Sequence, residues 1–302
     1  MSDHAVISID KLSKRYGPTL PYALKDLTLD VHRGEVFGFL GPNGAGKSTT
    51  IRTLLNFIQP TRGSAKINGL DIVSDSVKLR KDVGYLSGDF AAYDKMTGQQ
   101  FLNFMAQLQP LKRKSHLKEL SSLFNANLHS RIRDLSKGNR QKIGIIQAFM
   151  HDPSVLILDE PTDGLDPLMQ DAFYGLVRQR KEAGATVFAS SHNLAEVQKM
   201  CDRVGIIRGG QLVSESKIED LRHKAAQSFA VTFAHKIPLS SLRAVSGISK
   251  AKRVSDTSVT FEASGDLSPV LSFLAKQGVV SLRTEELNLA TEFMKYYETD
   301  KK

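Results

Sequence analysis

The sequence has no tryptophan and a single cysteine, Cys201, among 302 residues. One thiol excludes a disulfide framework and fits a reducing compartment. No stretch approaches the ~18 consecutive apolar residues that a membrane-spanning helix requires. The opening residues MSDHAVISID lack the basic-then-apolar order of a secretory leader. Internal repeats and low-complexity tracts are also missing. What remains is 41% hydrophobic and 24% charged, the balance of a folded globular chain rather than a disordered one. The length accommodates one large domain and one small one, or two medium domains.

Acidic residues are in deficit, 32 against 41 Lys+Arg, for a net charge of +9. The excess is local. Residues 90–150 hold ten Lys/Arg and three acids, a net +7, and residues 216–302 add +3. Such a run is either a solvated helical face or a docking surface near an anionic partner, lipid or nucleic acid.

The chain alternates strand and helix patterns. Residues 6–10, 27–31 and 36–40 read as strands, followed by GPNGAGKST and an apolar-periodic helix from Thr50. Residues 90–150 turn helical, with Phe101, Leu102, Phe104, Met105 and Leu108 near 3.6 spacing. Apolar runs at 155–158 and 186–189 flank a helix over 169–183 and read as buried parallel strands. This order predicts an α/β fold with a parallel sheet. Beyond 215 the pattern becomes strand 229–233, helix 239–245, strands 248–253 and 258–262, helix 269–276, strand 278–283 and helix 287–297. That order predicts a small α+β module of split βαβ type.

GPNGAGKS satisfies G-x-x-x-x-G-K-[ST] from Gly41 to Ser48. Between a strand and a helix, this run (Gly41, Pro42, Asn43, Gly44, Ala45, Gly46) lets backbone N–H groups converge on a phosphate at the positive end of the helix. Lys47 can reach the β- and γ-phosphates, the Ser48 hydroxyl can ligate Mg²⁺, and Thr49 can hold an α-phosphate oxygen. A glycine-rich turn with a chance lysine is the plain alternative, and the strand–turn–helix setting argues against it. A guanine-specific NKxD sequence is absent. Tyr16, about thirty residues upstream, has a ring that could stack on adenine, but a lone tyrosine at a strand end is more often a packing residue, and its case rests on the resemblance described below.

VLILDE ends a buried strand with two acids at its C-terminal end, where open α/β sheets bind ligands. Asp159 is the candidate Mg²⁺ holder and Glu160 the candidate general base for attack on a γ-phosphate. His192, in SSH after the next apolar strand, is placed to contact that phosphate.

With LSKGNRQ at 135–141 between cradle and acidic strand, the sequence resembles an ATP-binding cassette (ABC) ATPase. Tyr16, GPNGAGKST, LSKGN, VLILDE, the GLD of Gly164 to Asp166, and His192 follow that family's order over about residues 5–215. The resemblance implies a P-loop NTPase core (1–215) with an N-terminal antiparallel β part and a helical subdomain at about 90–150, followed by an accessory or regulatory domain (216–302). It implies ATP and Mg²⁺ as ligands, and two cassettes, identical or different, that sandwich two ATPs. Ser136, Lys137 and Gly138 of one cassette, with its Asp166, would face the nucleotide in the other's cradle. The form of the signature and the extra C-terminal module are similar to ATP subunits of type-2 exporters. These work on a separate transmembrane permease at the cytoplasmic face of the membrane, with no nucleic acid expected.

Three places depart from the family pattern. Gly88 stands where a glutamine is usual, which makes the neighbouring Asp89 the candidate metal ligand there. Lys137 and Asn139 replace glycine and glutamine in the signature, and Lys137 adds a candidate phosphate contact. Asp163 occupies the usual serine position before GLD. Two other readings compete: a soluble ABC ATPase acting on nucleic acid or ribosomes, and a nucleotide-regulated binding protein that barely hydrolyses. The single cassette without a long coiled-coil insertion weighs against the first, and Glu160 with His192 against the second.

Overall fold

The computed structural model describes residues 5–88, 93–109, 111, 113, 115–224 and 227–284. The chain divides into two compact units, 1–215 and 216–302. The expected helix at 287–297 and the candidate ligand Asp89 lie outside the described residues.

The first unit opens with β1 (Ala5–Arg15), β2 (Tyr22–His32) and β3 (Val36–Leu40), then α1 (Lys47–Leu54), β4 (Arg62–Ile67), β5 (Leu70–Asp71), α2 (Ser76–Leu79) and β6 (Val83–Leu86). Three helices follow: α3 (Gly98–Leu108), α4 (His116–Leu123) and α5 (Lys137–Phe149). The chain then returns to alternation with β7 (Val155–Asp159), α6 (Pro167–Glu182), β8 (Thr186–Ser191), α7 (Leu194–Met200), β9 (Arg203–Arg208) and β10 (Gln211–Lys217). One sheet is antiparallel in the order β2-β1-β4-β5. The other runs β10-β9-β3-β8-β7-β6, with β9, β3, β8, β7 and β6 mutually parallel.

Sequence patterns explain the placement of these elements. All five residues of β3 and of β7 are buried, as central parallel strands demand. Their apolar side chains join Ile51 and Leu54 of α1 and the inner residues of β1, β2 and β4 in one core. Four helices start on a side-chain cap, Thr97 for α3, Ser136 for α5, Asp166 for α6 and Asn193 for α7, whereas α1 follows Gly46 with no side-chain cap. Thr97 and Gln100 complete a capping box.

Two expectations need correction. Strand β1 continues to Arg15 instead of ending at 10, because its register shifts between Ile9 and Leu12 around Lys11, whose φ is 46°. The irregularity breaks the alternation while Leu12 and Ser13 stay buried. Helix α1 begins at Lys47, three residues before the apolar periodicity, because the cradle itself forms its first turn. Strands β4, β5, β9 and β10 and helices α2 and α7 were not anticipated, since each is short and β10 alternates without a buried residue.

The second unit runs α8 (Ile218–Lys224), β11 (Gln227–Phe233), α9 (Leu239–Arg243), β12 (Ile248–Arg253), β13 (Ser258–Ala263), α10 (Ser268–Ala275) and β14 (Val279–Thr284). Its sheet order, β12-β13-β11-β14, is antiparallel throughout and has the split βαβ arrangement expected from the sequence. Phe229 and Phe261 stack at 5.1 Å in a core closed by Leu242, Val270 and Leu274.

Phe188 of β8 lies between Phe37 and Phe39 of β3, with ring centroids 5.9 and 5.2 Å away and no exposed surface. Phe188→Ala is expected to destabilise the first unit by about 3–5 kcal/mol, read as a lowered urea midpoint for its unfolding.

Candidate functional site

The cradle is a turn between β3 and α1 held from behind by backbone bonds. Gly41 N–H donates to Ser191 O at 3.2 Å, and Ala45 O accepts from Gly210 N–H at 2.9 Å. Gly46 turns into α1 with a φ of 112°, a conformation that a side chain would strain. A Cβ there would also sit 2.8 Å from Ala23 O. The cleft so formed measures about 200 Å³. Ala23, Pro42 to Gly44, Gly46 to Thr49, and Glu160 line it. Gly41 and Ala45 are buried behind it as supports. Tyr16 is more than half exposed beside the cleft, its hydroxyl 3.3 Å from Thr49 Oγ1 and its ring under Lys14 Nζ at 5.5 Å.

Lys47 is the buried cation of the cleft. Its Nζ donates to Gly41 O at 2.6 Å and Pro42 O at 3.2 Å and stands 3.2 Å from Glu160 Oε1. The other carboxylate oxygen of Glu160, Oε2, is 2.8 Å from His192 Nδ1 and accepts from His192 N–H at 3.4 Å. Cradle, general-base candidate and histidine thus form one connected group. This is a tighter arrangement than the sequence implied, since His192 touches Glu160 directly.

Asp159 is buried next to this group. Ser190 Oγ donates to its Oδ1 at 2.5 Å and accepts the Glu160 N–H at 3.1 Å. Among the described residues no lysine, arginine or histidine pairs with Asp159. A buried carboxylate satisfied by a hydroxyl alone keeps lone pairs for a hard cation, and Ser48 supplies a second oxygen in the cleft. The donor set therefore fits Mg²⁺. Gly88 packs on the same carboxylate, where a Cβ would lie 3.5 Å from Asp159 Cγ.

The signature residues stand apart from the cleft, none of them lining it. Ser136 caps α5 by accepting the Asn139 N–H at 3.2 Å. Asp166 caps α6 by accepting the Met169 N–H at 3.0 Å. Lys137, the candidate contact for the opposite cassette's nucleotide, pairs within its own chain with Asp163 at 2.6 Å. Its ammonium reaches that carboxylate because α5 begins against the turn after β7. Two of the departures from the family pattern therefore neutralise each other. Sequence reasoning passed over Ser190 and Gln141. Ser190 is legible in hindsight as the polar end of an apolar strand, whereas Gln141 is one amide among many and carries no signal of its own. A larger cleft, about 290 Å³, lies in the second unit around Ser228, Lys250, Lys252 and Glu262 and contains none of the motifs.

A family model described as ABC transporter matches residues 24–163. A second, described as AAA domain, putative AbiEii toxin, Type IV TA system, matches 129–198. The ABC transporter ATP-binding protein NatA of Bacillus subtilis is 35% identical over 66% of this chain and 83% of its own. The chain belongs to the ABC transporter ATP-binding proteins. The cassette is also 35% identical to the Nod factor export ATP-binding protein I of Cupriavidus pinatubonensis, over 72% of the cassette chain and 68% of that relative. It is 34% identical to the probable multidrug ABC transporter ATP-binding protein YbhF of Escherichia coli, of whose length it spans 39%. A solved ATP binding subunit of an ABC transporter superposes with a TM-score of 0.67 at 32% identity, over 72% of this chain and 92% of its own. The P-loop NTPase fold and an ATP-binding domain are thereby established for the cassette.

Removing the buried ammonium leaves the phosphate site without its cation. Lys47→Ala is expected to weaken binding of a fluorescent ATP analogue by about 10² or more, and retained micromolar affinity in a titration would refute the assignment.

Proposed function

We propose that this cassette is the ATP-hydrolysing motor subunit of an ABC exporter whose permease is a separate polypeptide. The contact of Glu160 with both Lys47 and His192 at the mouth of the cradle carries the reading. An incoming γ-phosphate competes with Glu160 for Lys47. Once Lys47 turns to the phosphate, the carboxylate is available to take a proton from an attacking water. His192 holds Glu160 Oε2 and so orients the carboxylate that remains. Ser48 and Asp159 would hold Mg²⁺, which would supply charge neutralisation to the transferring phosphate. Backbone N–H groups of Asn43 to Ser48 and the α1 N-terminus hold the phosphates in line.

The cassette pairs with a second cassette, of its own kind or another. Support comes from the single cradle and single signature per chain, with Ser136, Lys137 and Gly138 away from the cleft of their own chain. Helix α5 would present its capped N-terminus to the partner's nucleotide. Among the described residues no helix is long and apolar enough to cross a membrane, so coupling to transport calls for a membrane partner. The export direction draws on the printed name of the Nod factor relative and on the type-2 resemblance. The working location is then the cytoplasmic face of the membrane. There the basic 90–150 segment faces the permease and anionic lipid, and residues 216–302 act as an accessory or regulatory domain.

Glu160→Gln is expected to lower ATP turnover by about 10² or more while ATP still binds, and near wild-type turnover in a phosphate-release assay would remove Glu160 from the role. Purified from detergent-solubilised membranes, the tagged full chain should bring down a multi-span protein. Recovery with RNA or ribosomes instead would replace the transport reading with the soluble ATPase one.

A further inference from the structure

The turn that follows β7 puts Glu160 in the left-handed region, with a φ of 47°, a conformation few non-glycine residues adopt. Something must hold it there. The Gln141 side chain, on α5 and 3% exposed, donates from Nε2 to Pro161 O at 2.9 Å and to Glu160 O at 3.3 Å. Both neighbours are carbonyl oxygens, so the amide can present only its nitrogen, and its two N–H groups meet two acceptors. Asp163 N–H also donates to Glu160 O at 3.2 Å, closing the turn on itself.

Two more contacts join the same helix to the same turn. Lys137 Nζ meets Asp163 Oδ2 at 2.6 Å. Gly138 lies so near Gly164 that a Cβ on it would stand 2.5 Å from the Gly164 carbonyl oxygen. Between Lys137 and Gln141, α5 thus grips residues 160–164 at four points. The exposed ion pair contributes little by itself. The buried amide is the strong member, because leaving buried carbonyls unpaired is costly.

We propose that Gln141 is a positioning residue for hydrolysis, holding the Glu160 turn to the signature helix. It touches neither the cleft nor the nucleotide site and acts only through the Glu160 backbone. The role rests on the motor reading above, in which Glu160 is the base and Ser136, at the start of the same helix, serves the opposite nucleotide. Each chain then sets the position of its own base by the helix that contacts its partner's nucleotide.

The test uses the full chain with two substitutions at 141. Gln141→Met keeps the volume and removes the donor. It should lower kcat about tenfold, the loss expected of two hydrogen bonds, with KM for ATP within about twofold. Gln141→Glu sets a carboxylate against two carbonyls and should lower kcat further at pH 8. Its activity relative to wild type should recover toward pH 6, as the buried carboxyl protonates and becomes a donor again. Amide hydrogen exchange reads the grip without turnover: in Gln141→Met the amides of 163–165 should exchange about tenfold faster than in wild type, with β8 amides unchanged. The proposal is overturned if kcat and exchange in Gln141→Met both stay within about twofold of wild type. It is equally overturned if exchange rises alike in β8 and no pH-dependent recovery appears, which marks a general loss of stability. A wild-type chain that does not hydrolyse ATP refutes the motor reading instead, and the exchange measurement still decides whether Gln141 holds the turn.

Discussion

The burial of β7 sets the position of everything that bears on phosphate. Val155 to Leu158 are completely buried between β6 and β8, so the strand has one register, and Asp159 and Glu160 emerge at its end and nowhere else. Four apolar side chains of this size contribute roughly 1.5–3 kcal/mol each on burial. Ser190, at the matching end of β8, then meets both residues, one through its side chain and one through its backbone. The parallel sheet therefore does two jobs with one set of contacts: it forms the core and it delivers the carboxylates.

Charge is handled by sharing. Lys47 is 6% exposed, a place where an ammonium needs partners, and it takes two cradle carbonyls and the Glu160 carboxylate. Glu160 in turn divides its oxygens between Lys47 and His192. In the proposed mechanism such a chain of contacts makes a phosphate a competitor for one member and thereby a switch for the next. The pairing of Lys137 with Asp163 follows the same logic on the signature side, where two charges unusual for the family cancel.

Much of the nucleotide site was legible in the sequence because its parts are local. A glycine cradle needs glycines at fixed spacing, and an apolar run ending in DE needs no partner to be read as a strand that carries acids outward. Tyr16 came into reach through order along the chain, and the structure sets its hydroxyl against Thr49. The split βαβ order of the second unit was equally legible, since each short element shows its own periodicity. The register shift around Lys11 was not, because an inserted residue destroys the alternation on which strand reading depends.

By itself, then, the sequence determined which residues are the candidates for handling phosphate and in what order they come, since backbone turns and strand ends obey local stereochemistry. Only the tertiary structure decided which of them touch: that His192 meets Glu160, that Lys137 turns to Asp163, and that Gln141 reaches over to the Glu160 turn. Those contacts join residues 19 to 32 positions apart. They exist because β8 pairs with β7 and α5 packs on β6 with its first turns against residues 160–164, and no spacing rule along the chain encodes the distance between packed elements.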